Sequence, residues 1–297
     1  MKKCSLLLLF IVALALVARS VSAQTPPSAA QFYLAALDAT KRLEVPAFAT
    51  YEAKIHAVGA QLTVEQVGAD KQLLFLEQIG PHENPDTSYS VAYRSDTDSS
   101  NVTEGKKFLG QTRRTMFNPT WQGVYDWLMF GPAGEPESAV KARASQAKLA
   151  PVAPAPKLKT IAILKAMGSA IYHVRDAGAA VCPNGDPGHQ VQTIARRDPE
   201  HHPLLNATID LHNGVSCSLR FHIAGSGPMV GITGYAEEHF GTVGSYWMAT
   251  DVHIVDDIRV AGIAVHHVSI DVAYTGMQFP TSLPAQEMVV PKNGVRR

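Results

Sequence analysis

The sequence predicts an α+β, β-rich fold in which long antiparallel strands build a strongly curved sheet around a few helices. Three observations predict it. Apolar and polar residues alternate with period two over most of the second half. Only two stretches of the mature chain carry an apolar face at helical spacing. The last strand-like stretch is long and apolar on one side, which suits a sheet that wraps around helices or a ligand.

The chain opens with MKKCSLLLLFIVALALVARSVSAQ. Two lysines, an apolar run of about 13 residues and Val21-Ser22-Ala23 before Gln24 read as a secretory signal peptide over 1–23, because a membrane span would want ~20 apolar residues. Cleavage is expected after Ala23, with a periplasmic or secreted mature protein and no transmembrane span left in it. Cys4 leaves with the leader. Removing Lys2, Lys3 and Arg19 leaves 23 basic against 26 acidic residues. That balance argues against nucleic acid as a partner. At 46% hydrophobic and 18% charged residues, the composition is that of a globular protein.

Residues 24–132 are expected to hold a helix, a strand meander and an aromatic helix. Ser28-Ala29-Ala30-Gln31 fits a capping box, and Phe32, Ala36, Ala39 and Leu43 follow at helical spacing, so a helix is expected to about Glu44, where Pro46 ends it. From Ala49 the period changes: Tyr51, Ala53, Ile55 and Ala57 alternate with Thr50, Glu52, Lys54 and His56. Separate strands are expected at 62–67, 72–79, 87–94 and 106–110. The run SDTDSSNVTEG, Ser95 to Gly105, is read as a polar hairpin tip. It is no EF-hand, because Lys107 occupies the twelfth position counted from Asp96, where a glutamate is needed. Asn118-Pro119 opens the second helix, with Trp121, Val124, Tyr125, Leu128 and Met129 as its apolar face.

Residues 133–159, rich in alanine and proline, read as a linker or insertion. Residues 160–297 are almost wholly strand-like and are expected to complete the same sheet. In NATIDLHNGVSCSLRFHI, Asn206 to Ile223, a hairpin with the loop His212-Asn213-Gly214 would pair Leu211 with Val215, Ile209 with Cys217 and Ala207 with Leu219. Its dry face is apolar; its wet face carries Thr208, Asp210, Ser216, Ser218, Arg220 and His222. A single strand from Ile258 to Tyr274 is expected to follow, with Val260, His266, Val268, Ile270 and Val272 on one face.

The mature chain keeps two cysteines, Cys182 and Cys217, in an oxidising compartment. A disulfide between them is expected, the other reading being two buried free thiols. Twelve histidines invite a metal site. A hairpin through Phe240 to Ser245 would put Glu237 opposite Met248 and about 16 Å from His253 at ~3.3 Å per residue, too far for one ion. His266 reads as a core histidine or as a polar contact inside a cavity. No catalytic residue, metal or cofactor is assigned, since there is no nucleophile elbow, no P-loop and no dinucleotide fingerprint.

The order of these parts, with YWMATDVHIVD (Tyr246 to Asp256) and VSIDVAYTGMQFPTSLP (Val268 to Pro284), resembles the periplasmic lipoprotein-carrier superfamily, the LolA/LolB and MucB-like proteins. Ala249 stands where that pattern often has proline. The resemblance implies an antiparallel half-barrel closed by helices, with an apolar cavity for acyl chains. The cavity candidates are then Ile209, Leu219, Phe221, Trp121, Tyr125, His266, Val268, Ile270 and Val272. The expected function is non-catalytic binding of a lipid or other apolar ligand. A scaffold or sensor that binds another envelope protein is the alternative, and a metal-dependent hydrolase the third.

Overall fold

The computed structural model describes residues 28–40, 42–67, 72–96, 99–112, 117–121, 172–196, 203–226, 230–261 and 264–283. The one helix among them, α1 (Ala29–Thr40), starts as the capping box requires. The Ser28 N–H donates to Gln31 Oε1 at 2.9 Å, and the Gln31 N–H donates to Ser28 Oγ at 3.3 Å. The helix stops at Thr40, four residues short of Glu44, where expectation placed its end, and its last turn closes through Leu43 N–H to Thr40 O at 3.0 Å. Of the second expected helix only its start is described: the Ala249 N–H donates to Pro119 O at 2.7 Å, and Thr120 bridges Met248. Tyr125 and the rest of that segment lie outside the described residues, as do 133–159 and the leader.

The remaining elements are β1 (Phe48–Val67), β2 (Gln72–Arg94), β3 (Ser99–Glu104), β4 (Lys107–Thr112), β5 (Tyr172–Val181), β6 (Pro187–Ala195), β7 (Leu204–Asp210), β8 (Ser216–Ser226), β9 (Val230–Val243), β10 (Tyr246–Val260) and β11 (Ala264–Gln278). They form one 11-stranded sheet in the order β3-β4-β2-β1-β11-β10-β9-β8-β7-β6-β5. Its ends do not pair with each other among the described residues, so it is an open half-barrel. The β1–β11 ladder joins the strands before residue 133 to those after 159, with Ala53 opposite Tyr274, Ile55 opposite Val272 and Ala57 opposite Ile270.

Period two decides which side chains turn inward. Tyr51, Ala53, Ile55 and Ala57 are buried on β1, and Val268, Ile270, Val272 and Tyr274 on β11. Tyr33, Ala36 and Leu37 of α1 are buried against this concave face. The helix therefore presents a stripe rotated about one residue from the one its spacing suggested.

Several strand limits differ from expectation, each for a local reason. The strands expected at 49–57 and 62–67 are one strand, as are those at 72–79 and 87–94. Gly59 allows the first fusion: its φ is +80°, the β1–β2 register slips between Val58 and Ala60, and a Cβ there would stand 2.0 Å from His267 O. Conversely, the expected single strand from Ile258 to Tyr274 is two, because the chain turns at Ala261 (φ 52°) and β11 pairs back on β10. Ser99 to Asn101, read as part of a hairpin tip, are buried in β3, where the Ser100 hydroxyl donates to Phe117 O.

The β7–β8 hairpin keeps Ala207 opposite Leu219, but Ile209 faces Ser216, and Leu211 is 54% exposed instead of inside. Asp210 causes this. Its carboxylate accepts from the His212 and Asn213 N–H groups at 2.7 and 3.2 Å and from Asn213 Nδ2 at 2.7 Å, so it caps the loop and is buried rather than wet. Cys217, left over in the bulge, forms a disulfide with Cys182, their Cα atoms 5.8 Å apart. Cys182 reaches it from the β5–β6 tip, across Gly188, where a Cβ would meet Cys182 Sγ at 3.3 Å.

Candidate ligand-binding site

Between α1 and the concave face lies a small cavity of about 40 Å³, partly open to solvent. The helix supplies Tyr33, Leu37 and Thr40, and Leu43 follows it; Leu204, Ser216, Leu219, Phe240 and Trp247 come from β7 to β10, and Trp121 from the segment that opens at Asn118. These side chains meet because Leu204, Leu219 and Phe240 occupy inward positions on neighbouring strands, where period two keeps successive apolar residues on one side. The lining is apolar and aromatic with a few polar groups, which is the make-up of small-molecule sites.

Of the residues that the sequence nominated, Leu219 and Trp121 line this cavity. Ile209, Phe221, Val268, Ile270 and Val272 are buried in the core that surrounds it. His266 is half-buried at the far end of β11, opposite Ile258. Tyr33, Phe240 and Trp247 are lining residues that sequence reasoning missed.

Glu238 was also missed. It points inward with Ala236 and Phe240, directly opposite Leu219 on β8 and Val252 on β10, and is 3% exposed. Its Oε1 has no hydrogen-bond partner. Burial pushes its carboxyl well above the usual carboxylate range; Asp251 adds to the shift and His239 opposes it. The signal was present in the sequence: in a strand, adjacent Glu237 and Glu238 must take opposite faces.

The convex face carries a different cluster. The β9–β10 turn is tight, Val243 facing Tyr246, so Glu237 stands opposite His253 and not Met248, and the separation of about 16 Å expected from a longer loop does not hold. Ser218, His239 and Asp251 occupy consecutive strands in register. His239 Nδ1 lies 2.6 Å from Asp251 Oδ1, as in a hydrolytic triad. The Ser218 hydroxyl, however, donates to Glu237 Oε1 at 2.9 Å, and His239 Nε2 lies 3.5 Å from the same oxygen. Hydrogen bonds to Asp251 and then Glu237 push the His239 imidazole up to about 9, against burial. A histidine that holds both protons cannot take one from serine. The cluster is an ion network, extended by Arg220 stacked 3.7 Å over Tyr235 and by the His253–Asp271 pair at 2.5 Å. No group of three or more potential metal ligands gathers among the described residues.

No protein-family model and no curated protein matches this chain. Among solved structures it is similar to a DUF1329 family protein from Desulfovibrio piger, at 8% identity and a TM-score of 0.33, covering 87% of this chain and 96% of that one. It is also similar to a putative outer membrane lipoprotein-sorting protein domain from Vibrio parahaemolyticus, at 10% identity and a TM-score of 0.32, covering 86% and 94%. It is likewise similar to a LolA superfamily protein from Nitrosomonas europaea, at 8% identity and a TM-score of 0.28, covering 88% and 96%.

Proposed function

We propose that this chain is an exported binding protein that holds a lipid or another apolar small molecule between α1 and the concave sheet, without covalent chemistry. The observation that carries this reading is the cavity itself: aromatic and aliphatic side chains from a helix and four strands converge on one space. An acyl chain entering it leaves water, at ~25 cal/mol per Å² of apolar surface buried, and needs few polar contacts to stay. The disulfide supports an oxidising compartment, as the leader-like start does. The β1–β11 ladder supports reading 24–132 and 160–297 as one binding unit interrupted by 133–159.

Extraction and native mass spectrometry of protein purified from its own compartment test this. Bound acyl species are the expected result. A stable protein that carries no small molecule and takes up none from a lipid extract would contradict it, and would favour the envelope-protein partner instead.

A further inference from the structure

Asn-Gly pairs stand at Asn184-Gly185, Asn213-Gly214 and Asn293-Gly294. The last lies outside the described residues. The first two occupy neighbouring tips of the sheet, the β5–β6 turn and the β7–β8 loop. Leu211 N–H donates to Pro187 O at 3.1 Å between these tips, and the Cys182–Cys217 disulfide ties the first to β8. Both asparagines are exposed, and both glycines hold the positive φ that such turns need, +89° and +70°.

The pair is chemically labile because glycine has no side chain to shield its amide nitrogen. Once that nitrogen loses its proton it attacks the asparagine Cγ. A C–N bond forms, the side-chain nitrogen leaves as ammonia, and water opens the resulting succinimide to aspartate or isoaspartate. Water is the only co-reactant, and nothing is oxidised or reduced.

Here both reacting groups are engaged elsewhere. Gly214 N–H donates to Asp210 O and Gly185 N–H to Cys182 O, each at 2.8 Å, so either nitrogen must give up a hydrogen bond before it can attack. Asn213 Nδ2 donates to Asp210 Oδ2 at 2.7 Å, and Asn184 Nδ2 to Asp186 Oδ2 at 2.8 Å. Asn184 Oδ1 also accepts from the Asp186 N–H at 3.1 Å. The two side-chain amides are thus held by carboxylates, through the stronger, charge-assisted kind of hydrogen bond.

We propose that Asn184 and Asn213 are sites of spontaneous deamidation held in check by Asp186 and Asp210, which fix the side-chain amides away from attack. Asp186 and Asp210 are positioning residues in this role. Conversion at Asn213 would replace the donor to Asp210 with a carboxylate, setting two like charges beside a buried one. It would also disturb the loop between β7 and β8, which supply Leu204, Ser216 and Leu219 to the cavity.

The test incubates the mature, oxidised protein at pH 8 and reads each asparagine by peptide mass spectrometry, with isoaspartyl methyltransferase labelling of the product. The same chain in urea and reductant gives the unrestrained rate. Folded protein is expected to keep both asparagines while the unfolded chain converts both. Asp186→Ala should speed conversion at Asn184 roughly tenfold or more, the worth of one hydrogen bond to a charged group, and leave Asn213 at its wild-type rate. Asp186→Asn, which keeps an acceptor, should stay closer to wild type. Asp210→Ala should act on Asn213 in the same selective way; if that variant does not fold, Asp186→Ala still decides. General destabilisation would speed both sites together, which would contradict the proposal. So would folded wild-type protein that converts as fast as the unfolded chain, or Asp186→Ala that leaves the rate at Asn184 unchanged.

Discussion

Glu238 stands directly across the β8–β9 ladder from Leu219, a carboxyl beside the side chain that forms part of the cavity floor. A group whose folded pKa is raised costs nothing below its unfolded value, near 4.5, and costs progressively more above it until the folded value is reached.

Glu238→Gln should therefore stabilise the protein at pH 8 by about 1–3 kcal/mol and change little near pH 4. Urea denaturation at both pH values checks this. Equal effects at the two would show that the carboxyl does not titrate against folding.

The His239 network has the opposite sign. With its folded value about 9 against 6.5, His239 contributes stability that is complete below pH 6.5 and is lost as pH rises through about 9. Burial alone would raise Asp251, but hydrogen bonds from His239 and Thr250 outweigh it and the net shift is downward; Glu237 is likewise lowered, chiefly by its hydrogen bond with His239. Those two contribute above their unfolded values and are lost in acid. The network's support is thus broadest around pH 5 to 6.5. Asp251→Asn should flatten the fall in stability between pH 6.5 and 9, which denaturation curves across that range would reveal.

Reducing the Cys182–Cys217 bond opens a loop defined by a sequence separation of 35. The chain-entropy model gives a loss of about 3–4 kcal/mol. Cys182→Ala/Cys217→Ala should show the same shift in urea midpoint as reduction of the wild type, with no further response to reductant.

Gly59→Ala is expected to cost at least about 2 kcal/mol, because the left-handed backbone and the contact with His267 O both forbid a Cβ. Gly105, also at positive φ but with open space for 4 Å around the place a Cβ would take, should tolerate alanine better. Thermal melts of the two variants compare space and backbone strain directly.

Periodicity carried the sequence reading a long way. The capping box placed the start of α1, and alternation picked out the inward residues of β1, β8 and β11, because those depend only on local chain geometry. Bulges were hidden. At Gly59, Cys217 and Thr250 one residue slips the register, and nothing in an alternating pattern announces it. Tyr33 was overlooked because the spacing of Phe32, Ala36 and Ala39 offered an equally apolar stripe; packing against the sheet chose the neighbouring one. Asp210 read as solvated, since its role as a loop cap depends on how the following three residues turn.

The central claim, that the space between α1 and the sheet holds an apolar guest, is tested most directly by closing that space. Leu219→Arg introduces a charge into the lining, and far-ultraviolet circular dichroism would verify that the sheet survives. A fluorescent acyl probe is expected to bind the wild-type protein and to bind Leu219→Arg at least about tenfold more weakly, a difference of about 1.4 kcal/mol. Equal binding by a folded Leu219→Arg protein would contradict it.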